Sequence, residues 1–365
     1  MRLVVKIGSN ILSAKEGGLD ERRMRAIADD VSRVIEAGHE VAVVSSGAVA
    51  AGLGRLGIKK RPADIRLKQA AAAVGQSQLM WLYEKVFSGN RKKVAQILLT
   101  RDVFTDRARY INSKNTILTL IGLGVVPIIN ENDTVAMDEI RFGDNDQLAA
   151  LVASLLGADR LMILSDVDGL YTADPRHNPD ARLIPDVSEI TREMEKTAGG
   201  AGSSVGTGGM YSKILAARIA MSAGISVNII NGRKSGLLME AILGRPHGTL
   251  FRAANGKLPA RKGWIAYGLK AKGRIVLDDG AAEAILSRGK SLLPSGITQV
   301  EGDFDRGDPV YCVSSSGRRI AKGLSNYSSA EIEKIKGKKS SEIGASLGYS
   351  YSDEVIHRDN LAVLD

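Results

Sequence analysis

The sequence predicts an α/β fold: an open, mostly parallel sheet with helices on both faces, followed by a small β-rich domain. Three observations support this prediction. Apolar, β-rich runs alternate with longer helical patterns as far as Asn231. Most of these runs are apolar throughout, as in strands buried on both faces of a parallel sheet. From about Lys270 onward, short β runs lie among glycine-rich turns instead.

The elements of the first part follow one another as strand, helix, strand, which favours right-handed crossovers. The expected strands are LVVKIG (3–8), EVAVVSS (40–46), VAQILLT (94–100), VVPIIN (125–130), LMILS (161–165) and SVNII (226–230). The helical patterns between them cover Glu21–Ala37, Ile65–Phe87, Ile111–Leu120, Asp146–Leu156 and Ser212–Ala223.

The domain organisation follows from length and composition. The chain has 365 residues, and domains of about 100–200 residues make two domains the expected number. After Asn231 the pattern gives way to glycine, arginine and proline, which indicates a domain exit. We expect a first domain over residues 1–255, a linker over 256–270 and a second domain over 271–365. In the second domain, RIVL and YCV are expected strands and Gly280–Arg288 an expected helix.

Targeting and redox signals point to the cytoplasm. The apolar run at the N-terminus is short and is interrupted by Lys6, unlike a signal peptide. No stretch of about 18 apolar residues is present, so no membrane contact is expected. Cys312 is the single cysteine, which excludes an internal disulfide framework. We interpret it as a small apolar core residue in the run PVYCV.

The net charge of +9 predicts an anionic partner. From Ile265 to Asp365 the basic and acidic residues balance, so the positive excess lies in the larger first part. This distribution favours an anionic small-molecule site over a nucleic-acid interface. A local nucleic-acid-binding patch in the second domain remains an alternative. Its candidate cations are Arg306, Arg318, Arg319, Lys322 and Lys334–Lys339.

Two motifs follow predicted strands near the N-terminus. VVKIGSN (4–10) places Lys6 at the end of a buried strand, where an ammonium group needs an anionic partner. Gly8 lets the backbone approach a phosphate closely. VVSSGAVAAG (43–52) places Ser46 beyond the carboxyl end of the next strand, where α/β sheets bind ligands. A surface lysine and an ordinary Ser-Gly turn are the alternatives.

The segment from Ile128 to Ala158 carries two clusters of amides and carboxylates. The first follows a buried strand and the second precedes a helix; each residue alone could be a cap. Together they suit an amino-acid ligand, with carboxylates for its ammonium group and amides for its carboxyl groups. The clusters consist of Asn130, Glu131, Asn132 and Asp133, and of Asp144, Asn145 and Asp146.

Two further segments suit a nucleotide. LSDVDGLYTADPR (164–176) places Ser165 and Asp166 after a buried strand. GGAGSSVGTGGMYSKI (199–214) combines many glycines with Lys213 at a helix start, which suits a polyphosphate. Its order and spacing differ from those of the GxxxxGK[ST] loop. A loop with Asx-turns and a flexible linker are the respective alternatives.

These motifs together resemble the amino acid kinase family. The segments that carry the resemblance are VVKIGSN, VVSSGAVAAG, AAVGQS, LLTRDVF, VVPIINENDTVA, FGDNDQLAALVA, GLYTADPR and GTGGMYSK. SLLPSGI and GYSYSDEVIHRD extend it to members with a C-terminal PUA domain. The resemblance runs nearly from end to end and implies that the chain is a phosphotransferase.

The resemblance also implies roles for individual residues. Lys6 and Lys213 would neutralise charge on the transferred phosphoryl group, and Asp146 would hold both lysines in place. Ser46, Asp133 and Asn145 match substrate-binding positions. Family members more often carry threonine where this chain has Ser165, but the hydroxyl is kept. The positions that match the ATP site are Lys6, Ser165, Asp166, Thr207, Gly208, Gly209, Met210, Tyr211, Ser212 and Lys213.

INEND and GDND resemble the family members that use ATP and Mg²⁺ to phosphorylate the γ-carboxylate of L-glutamate, the first step of proline synthesis. The resemblance implies inhibition by proline and a homodimer or homotetramer. It also implies Mg²⁺ that bridges the ATP phosphates without a dedicated protein metal site. Whether the next enzyme of the pathway docks to this protein stays an open question. Kinases of the same fold that act on acetylglutamate, aspartate, carbamate or UMP remain alternatives. RNA binding through the PUA domain is disfavoured by its balanced charge.

Overall fold

The computed structural model describes residues 1–14, 18–58, 62, 64–135, 145–199, 209–253, 260–269 and 271–364. The chain divides into two compact units, Met1–Lys257 and Leu258–Asp365. Across the described residues, every helix is too short or too polar to cross a bilayer. The exact limits of the predicted domains and linker stay a prediction.

The first unit is built on one sheet, and its described strands confirm each predicted one to within two residues at either end. They are β1 (Arg2–Ile7), β2 (Glu40–Val44), β3 (Lys93–Leu99), β4 (Val125–Glu131), β5 (Arg160–Ser165), β6 (Asp186–Val187), β7 (Ser226–Asn231) and β8 (Thr249–Phe251). Their order is β3-β4-β2-β1-β5-β7-β8-β6. Neighbouring strands run parallel except β7 and β8. The expected mostly parallel sheet is confirmed, with a short antiparallel addition near one edge.

Helices connect these strands. They are α1 (Ser9–Leu12), α2 (Glu21–Glu36), α3 (Ala48–Arg55), α4 (Ile65–Ser88), α5 (Asp102–Thr105), α6 (Arg107–Gly122), α7 (Asn145–Leu156), α8 (Arg192–Thr197), α9 (Met210–Ser222) and α10 (Leu237–Ile242). The predicted helices correspond to α2, α4, α6, α7 and α9. The helix α3 lies where the sequence indicated only a stretch of small residues.

The sheet brings several strand ends to one edge. β2, β1 and β5 are parallel neighbours, and Lys6 pairs in register with Val44 on one side and Ile163 on the other. β4 runs parallel to β2 on its far side. The carboxyl ends of all four strands therefore meet at the same edge, where open α/β sheets bind their ligands.

Helices α3 and α4 cross with almost no space between their backbones. A Cβ atom added at Gly52 would lie 1.7 Å from the carbonyl oxygen of Ala71. One added at Gly75 would lie 1.8 Å from the carbonyl oxygen of Ala48. Glycine is thus required at both positions by close backbone approach, and the crossing fixes the start of α3 at Ala48, two residues after Ser46.

We expect Gly75→Ala to lower the free energy of unfolding by about 1–3 kcal/mol or more, because the two helices must move apart to admit the methyl group. Urea unfolding at constant pH measures this effect. Gly122→Ala in α6 is the matched control, since an added Cβ there meets nothing within 4 Å. Equal unfolding midpoints for the two variants would show that the crossing is not tightly packed.

The second unit has its own sheet and helices. Its strands are β9 (Gly273–Leu277), β10 (Ile297–Glu301), β11 (Pro309–Val313), β12 (Arg319–Leu324) and β13 (Leu361–Val363), in the order β10-β9-β11-β12-β13. Its helices are α11 (Ala260–Gly263), a π-helix (Trp264–Gly268), α12 (Asp279–Arg288), α13 (Ser329–Ile335) and α14 (Ile343–Leu347). The expected strands RIVL and YCV and the expected helix are confirmed as β9, β11 and α12.

The cations considered for a patch in the second unit include one core residue. Lys322 is only 3% exposed, and its Nζ donates to the backbone carbonyls of Ala266 at 3.1 Å and of Leu269. Burial lowers the pKa of Lys322 to about 8, and the nearby Arg319 charge adds to this. Arg319 itself stacks on the ring of Tyr311. Lys322 is therefore unavailable to a surface patch, because it holds the π-helix segment against β12.

Candidate active site

A buried cluster of three charged groups lies at the sheet edge described above. The carboxylate of Asp146 forms an ion pair with the ammonium of Lys6 (Nζ–Oδ1, 2.5 Å) and accepts a hydrogen bond from that of Lys213 (Nζ–Oδ2, 3.2 Å). Lys6 lies at the end of β1, Asp146 in the first turn of α7 and Lys213 in the first turn of α9. The structure thus brings together residues that are far apart in the sequence.

The cluster is almost fully withdrawn from solvent: Asp146 is 0% exposed, Lys6 2% and Lys213 5%. Burial alone raises the pKa of Asp146, but the two ammonium groups outweigh it and hold the pKa below its usual range. The cluster therefore contains one negative and two positive charges. A buried site with a positive excess attracts an anion, and the lysines are already held in position before one arrives.

The predicted substrate-binding residues lie beside this cluster. Asn145 begins α7, and its amide nitrogen Nδ2 donates to the carbonyl of Ser45 at 2.5 Å and approaches Ser46 Oγ at 3.5 Å. Ser46 directly follows β2 and the buried Ser45, and is 9% exposed. Asp133 follows the end of β4, the strand beside β2. The structure connects Asn145 with Ser46 and puts Asp133 at the same sheet edge.

The predicted nucleotide loop follows β5. Ser165 is buried, and the Asp166 carboxylate accepts from the Asn10 amide at 3.0 Å. Burial raises the pKa of Asp166, but the Asn10 hydrogen bond and the Lys213 charge together bring it below its usual value. A Cβ atom at Gly8 would lie 3.2 Å from the Leu164 carbonyl oxygen and 3.9 Å from Lys6 Nζ. The β1 and β5 loops therefore pack closely beside the Lys6 ammonium.

The start of α9 is the second predicted nucleotide-binding element. Gly209 caps this helix without a side-chain hydrogen bond, and Met210, Tyr211 and Ser212 precede Lys213 in its first turn. Backbone N–H groups in a first helical turn have no partner within the helix, which makes the turn suitable for a phosphate group. Thr207 and Gly208 lie outside the described residues.

Comparison with known proteins identifies the family of the chain. Residues 1–231 match the model of the amino acid kinase family. The chain belongs to this family. Residues 273–347 match the PUA domain, so this amino acid kinase carries the second domain that the sequence predicted.

Curated relatives of this amino acid kinase cover its whole length. A protein of Geobacter sulfurreducens named glutamate 5-kinase is 54% identical over 363 residues, covering 100% of this chain and 97% of the relative. Glutamate 5-kinases of Pelobacter propionicus and Moorella thermoacetica are 50% and 51% identical over 363 residues, covering 100% of this chain and 97% and 96% of the relatives. The chain is accordingly an enzyme of the kinase class, as predicted.

Sequence reasoning assigned no role to two residues of α4 that support the site. The phenol oxygen of Tyr83 lies 2.7 Å from Ser45 Oγ. The amide oxygen Oε1 of Gln76 accepts from Asn130 Nδ2 at 2.9 Å. Gln76 and Tyr83 are seven residues apart and so lie on one helix face, which turns toward the strand ends. Gln76 lies in the segment AAVGQS, which carries part of the family resemblance, and Tyr83 follows it at helical spacing, but neither signal assigns a role.

Proposed function

We propose that the chain transfers the γ-phosphoryl group of ATP to the γ-carboxylate of L-glutamate and forms L-glutamyl 5-phosphate. The buried cluster of Lys6, Asp146 and Lys213 is the observation that carries this proposal. The names of the curated relatives support glutamate as the acceptor. Acetylglutamate, aspartate, carbamate and UMP are the competing acceptors of the same fold.

The chemistry explains why lysines dominate the site. A glutamate carboxyl group has a pKa of about 4.3, so it is already a nucleophile at neutral pH and needs no general base. The difficulty is to bring an anion to a polyanion. Lys6 and Lys213 would each neutralise charge on the transferred phosphoryl group, and Asp146 would keep both ammonium groups oriented. Alignment and charge neutralisation then suffice for the reaction.

The remaining site residues divide between the two substrates. Ser46, Asp133 and Asn145 would bind glutamate at the ends of β2 and β4. ATP would lie between the β5 loop and the start of α9. Its proposed contacts are Lys6, Ser165, Asp166, Thr207, Gly208, Gly209, Met210, Tyr211, Ser212 and Lys213.

Mg²⁺ would enter this site with ATP. Among the described residues no group of three or more His, Cys, Asp or Glu side chains could hold a metal ion. Mg²⁺ is commonly held by one or two carboxylates together with substrate phosphates, so the nucleotide phosphates would carry the ion here. The ion would supply further neutralisation of phosphate charge, while the lysines act on the transferred group.

Hydroxylamine trapping tests the proposed reaction. The acyl phosphate reacts with hydroxylamine to give glutamyl hydroxamate and inorganic phosphate, and the hydroxamate forms a coloured iron complex. We expect hydroxamate from L-glutamate with ATP, and much less product from equal concentrations of acetylglutamate or aspartate. ATP-dependent product from another acceptor, with none from glutamate, would reject the proposal.

We place this reaction at the first step of proline synthesis and expect proline to inhibit it at or beside the glutamate site. Initial rates at several glutamate concentrations should show a KM for glutamate that rises with proline while kcat is unchanged. Inhibition that glutamate does not relieve would contradict a shared site. An amino acid other than proline as the stronger inhibitor would contradict the pathway.

We also expect a cytoplasmic homo-oligomer, either a dimer or a tetramer. The PUA domain would then act in assembly or regulation rather than in RNA binding. Its burial of Lys322 supports this view, because it removes one cation from the RNA-binding patch considered above. A salt-sensitive gel shift with cellular RNA would argue for the RNA alternative.

A further inference from the structure

Three side-chain amides form a continuous chain of hydrogen bonds beside the glutamate site. Gln76 Oε1 in α4 accepts from Asn130 Nδ2 at 2.9 Å. Asn130 Oδ1, near the end of β4, accepts from Asn145 Nδ2 at 2.7 Å. The chain thus links a long helix to the residue at the start of α7. Asn130 is 2% exposed, so its hydrogen bonds are shielded from water.

The direction of these hydrogen bonds is fixed by two backbone groups, which cannot exchange donor and acceptor roles. The N–H of Glu131 donates to Asn130 Oδ1 at 2.9 Å, which identifies the oxygen end of that amide. The carbonyl of Ser45 accepts from Asn145 Nδ2 at 2.5 Å, which identifies the nitrogen end of the other. Asn130 must therefore present Nδ2 to α4, and residue 76 must present an acceptor.

The other end of Gln76 makes no comparable contribution. Its amide nitrogen Nε2 is buried and has no hydrogen-bond partner among the described residues. Among the described residues, Gln76 therefore acts through its acceptor alone. Glutamate at this position would keep that acceptor, whereas methionine, of similar length, would remove it.

We propose that Gln76 is a positioning residue that determines how the enzyme recognises the α-ammonium group of its substrate. By accepting from Asn130 Nδ2, it completes the arrangement that the Glu131 N–H and the Ser45 carbonyl begin, in which both hydrogens of the Asn145 amide are directed at Asn130 and Ser45. The atom of Asn145 that remains for a ligand is then its carbonyl oxygen, Oδ1. An oxygen acceptor pairs with an ammonium group and not with a carboxylate. This inference rests on the proposed function, because it concerns the amino-acid acceptor.

The close crossing of α3 and α4 explains why residue 76 can act in this way. The neighbouring Gly75 contacts the backbone at Ala48, and Tyr83 on the same face contacts Ser45. Helix α4 is therefore held against the strand ends by contacts that do not involve Gln76. Loss of the Gln76 acceptor should disturb the direction of the amides more than the position of the helix.

The test compares Gln76→Met and Gln76→Glu with Gln78→Met. Gln78 lies two residues along α4, in a surface cavity with Arg55, Ser77 and Trp81, and controls for the same substitution in the same helix. The readouts are KM for glutamate, KM for ATP and kcat in the hydroxamate assay. A fourth readout is the inhibition constant of glutarate, which has both carboxylates of glutamate but no ammonium group.

For Gln76→Met we expect KM for glutamate to rise about ten-fold or more, as for loss of a hydrogen bond to a charged group. KM for ATP and the glutarate inhibition constant should stay within about two-fold, so that the preference for glutamate over glutarate falls. Gln76→Glu and Gln78→Met should resemble the unaltered enzyme. If Gln76→Met does not fold, Gln76→Lys replaces it, because an ammonium group can only donate.

Several results would overturn this inference. One is an equal fold-change in the KM for glutamate and in the inhibition constant of glutarate, which would indicate a general structural role. Another is an unchanged KM for glutamate in Gln76→Met, and a third is a Gln76→Glu enzyme as impaired as Gln76→Met. Failure of the proposed function is separate, since the unaltered enzyme would then form no hydroxamate from glutamate.

Discussion

Lys213→Ala is expected to lower kcat by about 10²–10³-fold, comparable to the loss of one preorganised donor at a developing charge. Lys213 is 5% exposed and held at 3.2 Å from Asp146, so it is in place before the substrates bind. Its ammonium group would interact with the phosphoryl group most strongly during transfer. The decrease should therefore appear mainly in kcat, with a smaller change in KM for glutamate.

Lys85→Ala provides the matched control for this substitution. Lys85 also forms an ion pair, with Glu21 at 2.8 Å, but its side chain is 43% exposed. Exposed ion pairs of this kind contribute little to stability. The kcat of Lys85→Ala should therefore stay within about two-fold of that of the unaltered enzyme. Steady-state rates with saturating ATP and glutamate measure both variants. An unchanged kcat in Lys213→Ala would contradict the role proposed for this lysine.

Asp146→Asn is expected to affect both stability and turnover. The carboxylate faces two buried ammonium groups, and removing one partner of a buried ion pair costs about 3–5 kcal/mol of unfolding free energy. Turnover should fall at least as far as in Lys213→Ala, since both lysines lose the group that orients them. Urea unfolding at neutral pH measures the stability change, and the hydroxamate assay measures turnover.

The stability difference between Asp146→Asn and the unaltered protein depends on pH, and the sign of this dependence can be derived. Because the folded-state pKa of Asp146 lies below its usual value, its stabilising contribution is present above about pH 4 and is lost as the pH falls through the folded-state pKa. The difference in free energy of unfolding between Asp146→Asn and the unaltered protein should therefore become smaller only in strong acid. Asp186→Asn is the control, because its ion pair with Arg252 is exposed to solvent and should contribute little to the free energy of unfolding. If Asp146→Asn lost no more unfolding free energy at neutral pH than Asp186→Asn, the stabilising role of the buried carboxylate would be contradicted.

The sequence predicted the strands of the first unit well because most of the long strands are buried on both faces; the edge strand β3 is the exception. β1 and β5 are apolar over nearly their whole length, a pattern that is typical of strands in the interior of a parallel sheet. β6 and β8 were missed because two or three residues are too few to show any periodicity. Helix α3 was missed because alanine and glycine give it no apolar stripe, and tertiary contact with α4 stabilises it instead.

The candidate site was predictable to the extent that its residues lie at strand ends and helix starts. Lys6 and Asp146 could be nominated on that basis, and the resemblance to the amino acid kinase family assigned their roles. The contact of a single carboxylate with both lysines depends on how α7 and α9 meet at β1. No local sequence pattern encodes that meeting, since the three residues come from separate crossovers.

The amides show a finer limit of sequence reasoning. The sequence suggested that amide side chains would bind the carboxyl groups of an amino acid. The hydrogen bonds of Asn145 to Ser45 and Asn130 instead occupy its nitrogen, which favours contact with an ammonium group. An amide can donate or accept, and only its neighbours in three dimensions decide which end faces the ligand. Gln76, which reaches Asn145 only through Asn130, is 69 residues earlier in the chain than Asn145.

A crystal structure with glutamate and a non-hydrolysable ATP analogue tests the central claim most directly. We predict the Nζ atoms of both Lys6 and Lys213 within about 2.7–3.2 Å of terminal phosphoryl oxygens. The γ-carboxylate should lie about 3–3.5 Å from the terminal phosphorus. A nucleotide whose terminal phosphate contacts neither lysine, with the two ammonium groups in separate clefts, would contradict it.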